Sequence, residues 1–185
     1  NLNYIGMIVP NNYNIKFRLV EESDAEFIIN LRTDDTKARY ISATDTDIQK
    51  QKEWIREYKK REVNKEEFYF IAIDENNTEF ATYRLYNRSE SSIEIGSFIS
   101  IPLYGNALNV IKVDVIMKTY VFEKLCYEYL NFEVRKKNTS VVNYHKKFQP
   151  RLTKTDNLNY YFSLEKKYFV SNKYKFEKLF TTHKQ

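Results

Sequence analysis

Glycine is nearly missing from this chain. There are three in 185 residues, where globular proteins use roughly 7%. Neither G-x-G-x-x-G nor G-x-x-x-x-G-K-[ST] occurs, which excludes a Rossmann turn and a P-loop. The single cysteine, Cys126, excludes a disulfide scaffold within the chain and a thiolate zinc cage. Two histidines, His145 and His183, are too few for a His-rich metal site, and no metal is expected. No run approaches the ~18 apolar residues of a membrane span. No secretory signal is read either, so the expectation is a soluble protein of a reducing, cytoplasmic compartment. Charge of one sign is also lacking. Thirty basic minus 25 acidic residues leaves +5, spread along the chain without a basic stripe. That balance fits anionic small molecules and argues against nucleic acid and membrane as partners.

What is abundant is aromatic: 16 Tyr and 13 Phe. The chain is also rich in Lys and Asn, a usage that tracks nucleotide bias, so it carries little functional weight. The length suits one domain. A domain of this size buries roughly 70% of its unfolded surface and needs no staple. No repeat, linker or low-complexity tract interrupts it, and Pro10, Pro102 and Pro150 fall at boundaries.

Residues 14–20 alternate Ile15, Phe17 and Leu19 with polar neighbours, which predicts a strand. Ser23 is a good N-cap for a helix carrying Ala25, Phe27, Ile28 and Leu31. A second helix opens at Asp45–Asp47, with a narrow stripe of Ile48, Trp54, Ile55 and Tyr58. Residues 67–74, 79–86 and 92–100 read as a three-stranded meander, with Asn76-Asn77 in the first turn. Pro102 and Gly105 end it. Residues 108–125 form a long helix, apolar on much of its circumference. A strand (129–135), a short helix (138–148), a strand (158–164) and a charged helix (166–180) complete the order β-α-α-β-β-β-α-β-α-β-α. The central strand–helix–strand crossover requires a parallel pair, so the fold class is α/β: a mixed, mostly antiparallel sheet with helices on both faces.

This order, over almost the whole chain, resembles the GCN5-related N-acetyltransferase (GNAT) family. Two segments carry the likeness. One is the strand EIGSFIS followed by Pro102 and the long helix. The other is FEVRKKNTSVVNYHKKFQP, which is similar to the family's V-x-x-x-N-x-x-S-x-x-x-Y-x-K-L-G-F. Asn138 falls on the motif Asn, Val141 on the Ser, His145 on the Tyr, Lys147 on the Lys and Phe148 on the Leu. The resemblance implies a single acyltransferase domain over residues 1–185, with an N-terminal extension (1–13) and a C-terminal helix (166–185). It implies a parallel pair that splays, so that the free backbone of Gly96, Ser97, Phe98 and Ile99 receives the pantetheine arm of acetyl-CoA or another acyl-CoA. The pyrophosphate would then lie at the helix start, near Gly105, Asn106, Ala107 and Lys112. Asn138 and Asn143 are candidate donor contacts. The loop LYGNALNVIK departs from the family's Q/R-x-x-G-x-G/A. A donor carried on acyl carrier protein has no second phosphate and would lose little from that change.

Within the family, LRTDDTKARYIS, QKEWIREYKKRE, FYFIAI and YRLYN look most like acetyltransferases of sugar-nucleotide pathways. The partner implied is a nucleotide-linked amino sugar, and the context implied is polysaccharide or glycoprotein biosynthesis. Its diphosphate needs cations and its base a planar group, which singles out Arg32, Arg39, Tyr40, Trp54, Tyr83 and Arg84. Acyl transfer to an amine needs a base, a donor for the developing oxyanion and help for the departing sulfur. Glu94, on the splayed strand, is the candidate base. His145 is the candidate acid, with Tyr144 in that role if the alignment slips by one. Cys126 reads as a small buried residue, not a nucleophile. The alternatives are a protein N-terminal or small-amine acetyltransferase, and a binding module of this fold without activity. Monomer and homodimer both remain open.

Overall fold

The patterned segments assemble into one seven-stranded sheet, in the order β1-β2-β3-β4-β5-β7-β6. The structure is a computed structural model and describes residues 11–32 and 45–181. Strand β1 (Lys16–Leu19) leads through a 3-10 turn (Glu22–Asp24) into α1 (Ala25–Leu31), and α2 (Asp45–Val63) follows. The meander is β2 (Phe68–Ile73), β3 (Glu79–Tyr86) and β4 (Ser92–Ser100). Helix α3 (Ala107–Thr119) ends in a π-turn (Tyr120–Lys124) and crosses to β5 (Tyr129–Arg135). Then come α4 (Thr139–Lys146), β6 (Arg151–Thr155), β7 (Asn159–Glu165), α5 (Lys166–Asn172) and α6 (Tyr174–Thr181).

Strand β2 (FYFIAI) is apolar at every position because both of its faces are covered. Tyr69 and Ile71 face α1 and α2 with Ile28, Ile55 and Tyr58. Phe68, Phe70 and Ala72 face the larger core beneath α3 and the C-terminal helices. The β2–β3 turn closes on Asp74, whose Oδ1 accepts from the N–H groups of Asn76 and Thr78, while Asn77 takes φ 61°.

Several expectations are corrected. Ser23 lies inside the 3-10 turn and is not a cap; Glu21 and Asp24 satisfy each other's backbone N–H groups there instead. Strand β6 was not expected at all. Its sequence RLTKT is exposed at every position, so it carries no apolar alternation to read. The single C-terminal helix is two, broken at Lys173, where the Asn172 amide turns back to the Tyr168 carbonyl at 2.7 Å. Cys126 is exposed, at φ 62° in the turn after the π-helix, not buried.

Candidate active site

The site begins where pairing fails. Strands β4 and β5 are parallel, but only Ser92, Ile93 and Glu94 find partners, on Tyr129, Leu130 and Asn131. Beyond Glu94, residues 95–100 of β4 have no strand on that side among the described residues. On the other side β4 bulges. Thr82 pairs with Ile99 and Arg84 with Gly96, leaving Ser97 and Phe98 opposite Tyr83. Ser97 takes φ 47°, and its carbonyl accepts the Thr82 hydroxyl at 2.7 Å. A bulge at the point of splay aims main-chain groups into the gap. Gly96 is required there for space: a Cβ on it would stand 2.6 Å from the Tyr86 ring.

The loop after β4 is pinned. Tyr104 stacks on Phe80 at 4.5 Å, donates to Asp74 Oδ2 at 2.8 Å and accepts from Asn109 at 2.9 Å. Asn106 caps α3, its Oδ1 accepting from the Asn109 N–H at 3.0 Å. Asn106, Asn109 and Lys112 line a cavity of about 530 Å³, flanked by Tyr13 and Phe180. Gly105 and Ala107 are exposed at the helix start. Asn138 stands at the N-cap of α4 but makes no capping side-chain bond, and both it and Asn143 are exposed. An unpaired strand edge beside a helix start fits a pantetheine thioester.

On the opposite side of the gap, Glu94, Gly96, Tyr86 and Arg84 share the sheet face that carries α1 and α2, as the register shows. Glu94 accepts from Asn87 Nδ2 at 3.0 Å and lines a groove of 470 Å³ with Asn131, Arg151 and Tyr161. Burial and the neighbouring Glu94 carboxylate push the Tyr86 hydroxyl up. Arg84 lies over Tyr86 (4.2 Å) and Trp54 (5.0 Å), with its Nε on the buried Glu67. Trp54 and Arg32 line a second pocket, of 440 Å³, with Lys50 and Gln51. Among the described residues, two buried side-chain atoms here take no hydrogen-bond partner: Gln51 Nε2 and Tyr69 Oη. The Tyr69 hydroxyl lies beside those of Thr82 and Ser97 without hydrogen-bond geometry to either.

Beneath the gap lies a network that sequence reasoning missed. Asp114 and Lys118, one turn apart on α3, are fully buried, with Lys118 Nζ 2.6 Å from Asp114 Oδ2. Asp114 also accepts from Tyr83 (2.9 Å) and Tyr144 (2.5 Å). Lys118 Nζ lies 3.4 Å from His145 Nδ1, and His145 packs on Phe132 at 4.5 Å. Burial works to raise Asp114, but the Lys118 ammonium holds it below the usual carboxylate range. Burial lowers Lys118, against the pull of Asp114. Burial, with Lys118 beside it, pushes His145 from 6.5 down to about 3. The D-x-x-x-K spacing puts both side chains on one face of α3.

Of the expected site residues, Glu94 stands at the splay, and Arg32, Trp54 and Arg84 share one face. Two expectations need correction. Tyr83 is fully buried on the opposite face with its hydroxyl on Asp114, so it is not in an acceptor cleft. Tyr144 has given its hydroxyl to Asp114, and burial pushes it well up, so it is not a free acid. Arg39 and Tyr40 lie outside the described residues.

A sheet opened at its parallel pair, with a bulged strand and a helix start beside the gap, is the architecture of the GNAT acetyltransferase fold. A family profile described as acetyltransferase (GNAT) domain matches residues 14–149. Among solved structures, FdhC, described as a nucleotide-linked sugar GNAT, is 35% identical, covering 90% of this chain and 94% of that one, with a TM-score of 0.77. A variant of spermidine N-acetyltransferase SpeG from Vibrio cholerae shares the fold at TM-score 0.69 and 15% identity, covering 88% of this chain and 99% of that one. So does N-acetyltransferase PseH from Campylobacter jejuni, at TM-score 0.61 and 19% identity, covering 82% of this chain and 98% of that one. No curated protein matches the chain in sequence. The chain belongs to the GNAT family of acetyltransferases and is an enzyme of that class. No described helix is long and apolar enough to cross a membrane.

Proposed function

We propose that this acetyltransferase moves an acyl group from a coenzyme A thioester to the amino group of a nucleotide-linked sugar. The observation that carries the reading is the 35% identity, over 90% of the chain, to a nucleotide-linked sugar GNAT. The face bearing Glu94 supports it. It offers Arg32 and Lys50 for a diphosphate, the Trp54 ring for a base, and the orphaned Gln51 amide for a polar group. When bound, the thioester supplies an activated acyl carbonyl. Backbone N–H groups of residues 96–99 hold that carbonyl at the bulge. Asn106, Ala107 and Lys112, with Asn138 and Asn143, hold the rest of the donor. Glu94 takes the proton from the acceptor ammonium, directly or through water. His145 faces the sulfur. No side chain forms a covalent bond, so the exposed Cys126 has no part. A carrier-protein thioester would use the same strand edge.

The test is thermal unfolding with coenzyme A, acetyl-CoA, spermidine and a panel of UDP- and dTDP-linked amino sugars. A ligand at 100 times its dissociation constant adds about 2.7 kcal/mol to the folded state. Shifts with coenzyme A and one sugar nucleotide are expected. A shift with spermidine and no sugar nucleotide would move the enzyme to the small-amine branch, and a shift with the sugar alone would favour a carrier-protein donor.

Glu94→Gln is expected to lower kcat on the order of 10²-fold at neutral pH, with KM for the donor unchanged. The deficit should narrow as pH rises and the acceptor amine deprotonates unaided. Equal kcat in the two proteins across the pH range would remove Glu94 as the base.

A further inference from the structure

A buried ion pair inside an apolar helix is no help to stability by itself. Well-packed apolar side chains in its place often leave a fold as stable or more so. Lys118 and Asp114 nevertheless stand at 0% exposure in the middle of α3. The aromatic rings around Lys118, Phe148 at 4.3 Å, Tyr144 at 5.4 Å and Phe132 at 5.5 Å, close it off from water. Among the described residues, its one hydrogen-bond partner besides Asp114 is His145 Nδ1, at 3.4 Å. An ammonium has only donors to offer. The nitrogen it faces must therefore be the acceptor of the ring, and the ring hydrogen must sit on Nε2. The charged groups facing His145 are Lys118 and Asp114 of α3; β5 presents only Phe132, and Tyr144 has its hydroxyl on Asp114. Nε2 takes no hydrogen-bond partner among the described residues.

We propose that Lys118, anchored by Asp114, is the positioning residue that fixes His145 as the neutral Nε2–H tautomer and aims this donor at the thioester sulfur. The aim rests on the reading that His145 lies against the acyl donor; the tautomer does not. In the reaction the neutral acceptor amine forms the C–N bond, its surplus N–H proton passes to water, and the C–S electron pair passes to sulfur. Nε2–H keeps its proton and hydrogen-bonds the sulfur as it departs as thiolate. The pair thus makes His145 a donor whose state does not change across the neutral range, where an ordinary histidine would be half-charged near pH ~6.5.

The first test is nitrogen-15 NMR of the histidine-labelled full chain, with His183→Gln to assign the two rings. A neutral Nε2–H signal for His145 is expected, and an Nδ1–H signal overturns the proposal without recourse to any variant. The second test is the pKa of the thiol of bound coenzyme A, read from thiolate absorbance. A hydrogen bond to the charged sulfur should lower it by about one to two pH units. His145→Phe should lose that effect, and His145→Gln, which keeps a donor near Nε2, should retain much of it. The double variant Lys118→Met/Asp114→Asn removes both charges together. In it, His145 should become a mixture of tautomers and most of the thiol effect should disappear. A double variant that keeps the Nε2–H tautomer and the thiol pKa overturns the role of Lys118. A bound thiol that is the same in wild type and His145→Phe takes His145 out of the donor site and overturns the aim, whichever tautomer the spectrum shows.

Discussion

Asp114→Ala is expected to destabilise the enzyme by about 3–5 kcal/mol, the cost of breaking a buried ion pair from one side. The substitution leaves the Lys118 ammonium without a counter-charge at a position closed to water. It also strips the acceptor from the hydroxyls of Tyr83 and Tyr144. Total stability of a domain is only about 5–15 kcal/mol, so a large share of the variant should unfold under conditions where the wild type is intact. Chemical denaturation measures the change as a lower midpoint at unchanged slope. Lys118→Met/Asp114→Asn should be less damaging than Asp114→Ala, because one tyrosine hydroxyl keeps an acceptor, the amide NH2 can donate to the other, and no charge is stranded. If the double variant loses as much as the single, the ion pair is not the source of the cost. Arg56→Ala is the contrasting control. Its bond to Glu22 is as short, at 2.6 Å, but both side chains are about half exposed, and no measurable loss is expected.

The sequence conveyed the elements wherever burial differs between the two sides of the chain. Strands β3, β4 and β5 were legible to the residue because Phe80, Ile93, Ile95, Leu130 and Phe132 alternate with polar neighbours. Strand β6 was illegible because nothing in RLTKT is buried; backbone pairing with β7 alone makes it a strand. The break at Lys173 was hidden for a similar reason: the signal is a side-chain bond of Asn172, not a Pro or Gly. At the site, the family resemblance put Glu94 on the strand that splays, and Glu94 is the last residue of β4 paired with β5. Tyr83 was misplaced by one property of strands, the alternation of faces. Arg84 points to α2, so Tyr83 must point to α3. The Asp114–Lys118 pair went unread because two charges in an apolar helix show their meaning only when α4 brings Tyr144 and His145 against them. Gln149 shows the converse. It takes φ 62° where the family motif has Gly, a conformation the sequence alone gave no reason to assign to Gln.

Stability should fall as pH is lowered from about 6.5, before any carboxylate titrates, and His145 is the cause. In the unfolded chain His145 binds a proton near 6.5; in the folded chain it does so only at about 3. Between those values the unfolded state holds one proton more, so stability rises with pH through the window and is fully present above about 6.5. Going down from about pH 6.5 to about pH 5 should remove roughly 1.5–2 kcal/mol. Asp114 acts in the same direction, with its carboxyl held below the usual range by Lys118, but its contribution is lost only as pH falls through the ordinary carboxylate range and below. The window above about pH 5 therefore reports the histidine. His145→Phe fills nearly the same volume beside Phe132 and has no proton to bind. Its stability should stay level across that window while the wild type declines, so that the wild type loses stability relative to the variant toward the acid end. Urea denaturation of both proteins at half-unit intervals of pH measures the two slopes. Parallel curves would place the proton uptake on groups other than His145, and would mean that this ring is not held neutral by its surroundings.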